Sequence, residues 1–332
     1  MLKYYCKLLE FLVKNKYTCL NFSMYHKYKN NLNNKIVLLR HDIHLRDVEN
    51  AYKMIEIEKK ILGKCLSTFF VQWDLCGFSN YEKEYEKKHQ HLYEKFILYC
   101  IDNNIDVQPH ISPIHYYASK FKPEWLNMSI FQIETIFKEN YIHSTDCLNI
   151  EIIKKDILNI KHLIKEIEKY VEEYTKKWKK KFNITVEGYA AHGCSINLSR
   201  VIHNGIILNL DSIYKKSNIM YEVYSKNLRD TFNFYSDGSI PKWIFSPELI
   251  YHDKIIILCH PFVWNDNKTI FMNGNTDGLI KYESNEYKNI KYGLYPYLAN
   301  IDIIINISDY LKSNKNINDY NEEYKNCIMI FE

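Results

Sequence analysis

Hydrophobic positions near the start of the chain alternate between helical and strand-like patterns. Apolar side chains recur at helical spacing over residues 2–15, which predicts an amphipathic helix. Its expected buried positions are Leu2, Tyr5, Leu8, Leu9 and Leu12. The apolar run Lys35–Arg40 predicts a buried strand, a further helical stripe ends near Gly63, and Cys65–Gln72 predicts a second strand. This segment therefore predicts a strand, helix, strand unit.

The same alternation continues along the chain. Helical patterns cover residues 81–103 and 146–181, and extended segments are predicted at residues 105–109, 184–191, 206–210 and 254–259. No internal repeat and no low-complexity linker interrupts this order. Strands that alternate with helices indicate an α/β fold.

Histidines gather where the predicted strands end. Three apolar strands lead into His41, His192 and His260, and a fourth short strand leads into His110 and His115. In a parallel barrel the carboxyl ends of the strands share one rim, so residues far apart in the chain can form one site. Paired imidazoles, completed by a carboxylate or a third imidazole, are suited to Zn²⁺ or a similar divalent metal.

Asp42 and His44 alternate at the exit of the first strand, so both can face that rim if the extended conformation persists. Either residue can bind a metal. Asp42 can also act as a general base.

Composition excludes several classes of protein. The chain of 332 residues is 46% hydrophobic and 25% charged, and its formal charge is only +4, with four arginines among 44 basic residues. Lysine alternates with glutamate along the helices, which argues against a nucleic-acid partner. Nine cysteines without a CxxC pair predict reduced thiols. The first residues resemble no secretory signal, and no run approaches the roughly 18 apolar residues of a membrane span, so we expect a cytoplasmic protein.

The segment Ile36–Gln72 resembles the opening of the polysaccharide deacetylase superfamily, the NodB-like domain, in the branch that begins with Arg-His-Asp-x-Asp. A strand of the family's Thr-Tyr-Phe type is matched by Ser67–Phe70. Further similar positions follow in the family's order, namely His110, His192, Ser236–Asp237 with Trp243, and Leu258–Pro261 with Trp264. The set of motifs is much more specific than any one of them.

This resemblance implies a distorted (β/α) barrel of the NodB-like deacetylase type over residues 1–265, with residues 266–332 packed on the same domain. It implies a divalent metal held by one carboxylate and two histidines, and hydrolysis of an N-acetyl or O-acetyl group on a sugar. The expected catalytic pair is Asp42 as base and His260 as acid. The expected metal ligands are His44, His110 and His115. The expected substrate-binding residues are His41, His192, Asp237, Trp243 and Trp264.

Three departures from the family pattern keep other functions open. His44 stands where the family has aspartate, the His110–His115 motif is one residue longer than usual, and His192 precedes Gly193 and Cys194 rather than Arg-Pro. Three histidines remain suitable for zinc. These changes are compatible with altered metal geometry, another acyl substrate or lost catalysis.

The alternatives are a metal-dependent amidohydrolase or phosphoesterase on a (β/α) barrel, and a degenerate domain that binds a glycan or a partner without turnover. For the deacetylase, a cytoplasmic location favours a nucleotide-linked or lipid-linked acetylated sugar made for a surface polysaccharide. The sequence leaves the oligomeric state open.

Overall fold

A long parallel sheet organises the protein. The computed structural model describes residues 1–29, 35–44, 47–73, 80–121, 123, 150–192, 218–237 and 242–264. Its strands are β1 (Thr18–Leu20), β2 (Ile36–Ile43), β3 (Thr68–Val71), β4 (Asp106–Ile111), β5 (Gly188–Ala191), β6 (Tyr221–Glu222), β7 (Asn233–Ser236) and β8 (Lys254–Cys259). Every pairing found between them is parallel.

The sheet has the order β6-β5-β4-β3-β2-β8-β7, and β1 also pairs with β2. Strands β1 and β3 share one edge of β2, because β1 pairs with the start of β2 and β3 pairs with its end. Within the described part of the chain no pairing joins β6 to β7, so the sheet stays open there. The architecture is an α/β fold compatible with a distorted barrel.

Helices connect and cover these strands. They are α1 (Leu2–Lys14), α2 (Phe22–Tyr28), α3 (Val48–Leu62), α4 (Asn80–Asp102), α5 (Pro113–Phe121), α6 (Ile150–Phe182) and α7 (Lys226–Thr231). Two short 3₁₀ helices, Lys242–Ile244 and Pro247–Leu249, precede β8.

All eight residues of β2 are buried, because both faces of this strand are covered. On one face, Val37 and Leu39 pack in a core with the apolar stripe of α1. On the other face, Ile36 and Leu38 pack with Phe22 of α2. Successive side chains of β2 therefore alternate between the two cores on the two faces of the strand.

The chain divides into two compact units. One consists of Met1–Ile111, Tyr174–His192 and Tyr214–Tyr292, and it contains all eight strands. The other consists of Ser112–Glu173, Gly193–Ile213 and Gly293–Glu332. In the second unit, α5 packs against α6 through stacked rings of Tyr116 and Tyr170, whose centroids are 4.3 Å apart.

Several sequence-based predictions are confirmed. The first helix buries four of its five expected positions, Tyr5, Leu8, Leu9 and Leu12. Gly63 ends α3 in the left-handed conformation with φ of 78°, which glycine adopts without strain. The strand at residues 254–259 has the predicted bounds.

Other bounds differ from the prediction. Strand β2 continues through His41 and Asp42 to Ile43, because its polar residues are also buried and paired. Strands β3 and β5 are shorter than their apolar runs, while β1, α2, α5, β6, β7 and α7 were not predicted. The predicted strand at 206–210, the helix start at 146–149 and the extension 266–332 lie outside the described residues.

The structure bears on two further expectations. None of the helices described is both long enough and apolar enough to cross a membrane. None of the five cysteines with a described position, Cys6, Cys19, Cys65, Cys100 and Cys259, forms a disulfide.

His26 on α2 provides a pH-dependent contribution to stability. Its ring stacks on Tyr221 at 4.9 Å, and burial, with Lys29 adding to the effect, lowers its pKa to about 4. The unfolded chain therefore binds a proton at a higher pH than the folded chain, so stability present above pH ~6.5 is lost on acidification. Relative to His26→Phe, the wild-type free energy of unfolding should fall by about 1–2 kcal/mol between pH 7 and pH 5.

Urea unfolding of both proteins at the two pH values measures this difference. Phenylalanine keeps an aromatic ring against Tyr221 but cannot bind a proton. A difference that does not change with pH would show that His26 is not the group responsible.

Candidate metal centre

Three histidines from different strands meet at the carboxyl ends of the sheet. His44 directly follows β2, His110 lies near the end of β4, and His192 directly follows β5. One ring nitrogen of each can be chosen so that the three atoms lie within 4.8 Å of one another. The ring centroids are 5.0 to 5.6 Å apart. The parallel strands thus bring together residues that are far apart in the sequence.

A backbone contact orients the ring of His110. Its Nδ1 lies 3.0 Å from the carbonyl oxygen of Ala190, and because a carbonyl only accepts, Nδ1 carries the proton. Burial, together with the positive charge of Arg40 and the nearby His44, lowers the pKa of His110 to about 3, although Asp42 opposes the shift. At neutral pH, His110 is therefore neutral and its Nε2 has a free lone pair.

Asp42 lies beside this lone pair and is held by Arg40. The guanidinium donates from Nε to Oδ1 at 2.7 Å and from the second nitrogen to Oδ2 at 2.6 Å, and both side chains are buried. Burial alone would raise the pKa of Asp42, but Arg40 outweighs it and holds that pKa well below its usual range. Asp42 is thus a carboxylate under ordinary conditions.

The position of His44 is fixed by Asp47. One carboxylate oxygen of Asp47 accepts from the backbone N–H of His44 at 2.9 Å and lies 3.1 Å from its Nδ1. This contact leaves Nε2 of His44 as the atom that can face a metal. Burial and the neighbouring histidines hold the pKa of His192 well below its usual value, which keeps its ring neutral.

A fourth histidine, His260, lies beside His44 with the rings stacked at 6.1 Å. Its Nδ1 is 2.7 Å from Asp237, which also accepts from the backbone N–H of His260 at 2.6 Å. Burial opposes protonation, but the charge and hydrogen bond of Asp237 outweigh it and raise the pKa of His260 to about 9. Asp237 is in turn held by the indole N–H of Trp264 at 2.8 Å. His260 therefore carries a proton at neutral pH.

The donor set fits a divalent transition metal. The lone pair of His110 Nε2 lies 3.5 Å from Oδ2 of the ionised Asp42, so two acceptors face each other with no proton between them. A cation placed among these groups removes that repulsion. Imidazole nitrogens suit zinc, copper, iron or nickel better than magnesium or calcium, so the chemistry of the site agrees with zinc.

The third histidine of the cluster differs from the one expected as a ligand. His115 lies on α5, in the second unit, and it is not part of the group formed by His44, His110 and His192. The cause is local, since β4 ends at Ile111 and the chain turns into α5 at Pro113. His192, expected to bind substrate, completes the three-histidine group instead.

The structure does not bring His41 to the site. Asp42 faces the histidine cluster, so alternation along β2 directs the preceding residue, His41, to the opposite face of the strand. There its Nε2 lies 3.0 Å from Glu58 and 3.1 Å from the hydroxyl of Tyr5. His41 is fully buried there. This placement does not support the substrate-binding role expected for His41.

Trp243 and Trp264 also lie in the core rather than on an open surface. Their rings are 6.2 Å apart, and Trp264 packs edge-on against Tyr5 at 5.3 Å. Trp264 is completely buried and Trp243 is 7% exposed, so neither ring offers a face to a sugar. Asp237, also expected to bind substrate, instead contacts the backbone N–H and the Nδ1 of His260.

Three supporting residues were not assigned a role from the sequence. Arg40 was noted only as part of a motif, although its position two residues before Asp42 places both on one face of β2. Asp47 follows His44 by three residues, a spacing that permits a side-chain contact across a turn. Glu222 accepts from the backbone N–H of Ala191 at 3.2 Å and so joins β6 to the end of β5. The sequence gave no indication of this contact, because its partners are far apart in the chain.

Comparisons with protein-family models, curated proteins and solved structures gave no match to this chain. The likeness to NodB-like deacetylases therefore rests only on the residues quoted in the sequence analysis.

Proposed function

We propose that the protein is a metal-dependent hydrolase that removes an acyl group, most simply an acetyl group, from a sugar or sugar conjugate. The observation that carries this proposal is the meeting of His44, His110 and His192 beside an ionised Asp42 and a protonated His260. The group contains three metal-binding imidazoles, a proton acceptor and a proton donor. This combination of groups suits metal-assisted hydrolysis.

The imidazoles of His44, His110 and His192 would hold the metal in this mechanism. When bound, a divalent metal polarises the acyl carbonyl and makes water more acidic. Asp42 accepts a proton from the water as its oxygen forms a bond to the acyl carbon. Arg40 keeps Asp42 ionised, and it also makes the carboxylate a weak base, so the reaction depends on an acidified water.

His260 supplies the second proton transfer. As the bond from the acyl carbon to nitrogen or oxygen breaks, His260 gives its proton to the departing amine or alkoxide. Asp237 stabilises the protonated ring and fixes its direction through two hydrogen bonds. The products are a carboxylate, such as acetate, and the free amine or hydroxyl of the sugar. Acetylated sugars carried on a nucleotide or lipid are the substrate class we propose.

Elemental analysis of the protein purified without added metal tests this function. We expect near-stoichiometric zinc or another divalent metal in the wild type, and loss of that metal in His44→Ala, His110→Ala and His192→Ala. His115→Ala is the matched control, since we expect it to retain metal. Acetate release from acetylated amino sugars is then measured on the loaded wild type.

Each result has a definite meaning. Loss of metal in His115→Ala but not in His192→Ala would restore the ligand set predicted from the sequence. A wild-type protein that takes up no metal on addition would overturn the hydrolase and leave a glycan-binding domain as the alternative.

A further inference from the structure

Asp47 stands at the N-cap of α3 but does not cap the helix. Aspartate is a favoured N-cap residue because its side chain usually accepts a hydrogen bond from the first turn. Here no such bond is formed, although Asp47 is completely buried. Both carboxylate oxygens are instead used outside the helix, one toward His44 and the other toward Phe262. A capping interaction worth about 1 kcal/mol is thus given up for these contacts.

The contact with His44 determines which ring nitrogen carries the proton. Oδ2 of Asp47 lies 3.1 Å from Nδ1 of His44 and also accepts the backbone N–H of His44 at 2.9 Å. A carboxylate oxygen can only accept, so Nδ1 must be the protonated nitrogen. Nε2 then keeps its lone pair for a ligand. The backbone also closes a turn here, because the N–H of Asp47 donates to the carbonyl of His44 at 2.9 Å.

The contact with Phe262 reaches the loop that carries His260. Oδ1 of Asp47 accepts the backbone N–H of Phe262 at 2.7 Å. One helical turn later, the side-chain amide of Asn50 donates to the carbonyl of Pro261 at 3.1 Å. The start of α3 therefore holds this loop from one side, while Asp237 holds His260 from the other.

We infer that Asp47 is a positioning residue that holds His44 in its Nδ1–H form and joins this ligand to the loop of the acid His260. The inference rests on the proposed function, because it assigns Asp47 to the same site. It also gives a reason for the histidine at position 44. A carboxylate ligand has no tautomer to select, whereas an imidazole ligand needs a partner on its other nitrogen.

Two measurements test this inference. The first uses the metal-free wild type and needs no variant of Asp47. Nitrogen-15 NMR of the metal-free wild type reports the protonated nitrogen of His44, whose signals are assigned by their loss in His44→Gln. We expect the Nδ1–H form. A ring protonated on Nε2 alone would overturn the role of Asp47 whether or not the protein binds metal.

The second measurement is the zinc affinity of Asp47→Asn and Asp47→Ser, determined by titration against a competing chelator. We expect a 10- to 100-fold loss of affinity in both, as found when partners of ligating histidines are removed. Serine restores a good N-cap and so favours a folded helix. Glu49→Gln is the matched control, because it removes one charge from the first turn of the same helix at an exposed position.

These experiments separate two kinds of failure. Unchanged zinc affinity in both Asp47 variants would overturn the positioning role and leave the proposed hydrolase intact. A wild type that binds no zinc would overturn the proposed function, while the His44 tautomer still decides whether Asp47 holds the ring. An equal loss of zinc affinity in Glu49→Gln would show that the loss comes from removing a negative charge near the site, and it would also overturn the inference.

Discussion

Replacing Asp42 with asparagine is expected to reduce acetate release by about 10²- to 10⁴-fold, the range typical for loss of a general base. The metal content should stay near that of the wild type, because His44, His110 and His192 are unchanged. The variant should also be less stable by about 3–5 kcal/mol, since the fully buried Arg40 loses its carboxylate partner. Turnover, metal content and urea unfolding are measured on the same preparation.

A double variant separates the chemistry from the stability. Arg40→Met combined with Asp42→Leu removes both charges together, and replacing a whole buried ion pair by apolar residues is often neutral or stabilising. We expect its stability to recover toward the wild-type value while acetate release stays lost. Recovered turnover in the double variant would remove Asp42 from the role of base. Loss of metal in Asp42→Asn alone would make Asp42 a ligand.

Replacing Glu58 with alanine is expected to lower the free energy of unfolding by about 3–5 kcal/mol, because buried donors are left without their acceptor. Glu58 is completely buried and accepts from the hydroxyls of Tyr5 at 2.8 Å and Ser67 at 2.6 Å. The backbone N–H groups of Leu66 and Ser67 also donate to it, at 3.1 and 3.2 Å. Urea denaturation at neutral pH gives the value.

Acid should remove the part of this stabilisation that depends on an ionised Glu58 carboxylate in the wild type. Burial alone would raise the pKa of Glu58, but its hydrogen bonds and the nearby His41 outweigh burial and lower it. Its contribution is therefore present above pH ~4.3 and is lost as the pH falls further. Glu56→Ala on the same helix is the control, because the Glu56 side chain is largely exposed and its loss should change stability much less than the loss of Glu58. An equal effect in both variants would contradict the importance of the buried network.

The fold was most predictable where one physical signal dominated. The stripe of α1 and the apolar run of β8 have strong periodicity or continuous hydrophobicity, and both elements lie where the sequence predicts them. Strand β6 has only two residues, Tyr221 and Glu222, and it exists because it pairs with β5. Such an element has no local signal of sufficient length, since its stability comes from partners distant in the sequence.

The candidate site shows a similar division. Reasoning from the strand ends placed His44, His110, His192 and His260 at one rim, because the ends of parallel strands lie at one edge. The same reasoning also placed His41 and His115 there, which the structure puts elsewhere. The sequence favoured His115 as the third histidine of the cluster, whereas the structure groups His192 with His44 and His110. That choice depends on where β4 ends and α5 begins, which the sequence pattern did not give. The roles of Trp243 and Trp264 depended on burial, which a tryptophan's place in a motif does not reveal.

The polar end of β2 also controls how the sheet can assemble. On one face of β2, Arg40 and Asp42 form an ion pair beside the histidine cluster. On the other face, His41 contacts Glu58. A shift of β2 by one residue against β3 and β8 would exchange these faces. It would bring the Arg40–Asp42 ion pair into the apolar layer beneath α1 and α3 and would leave Glu58 without its imidazole. The three consecutive polar residues therefore favour one register of β2 and destabilise the registers that are shifted by one residue.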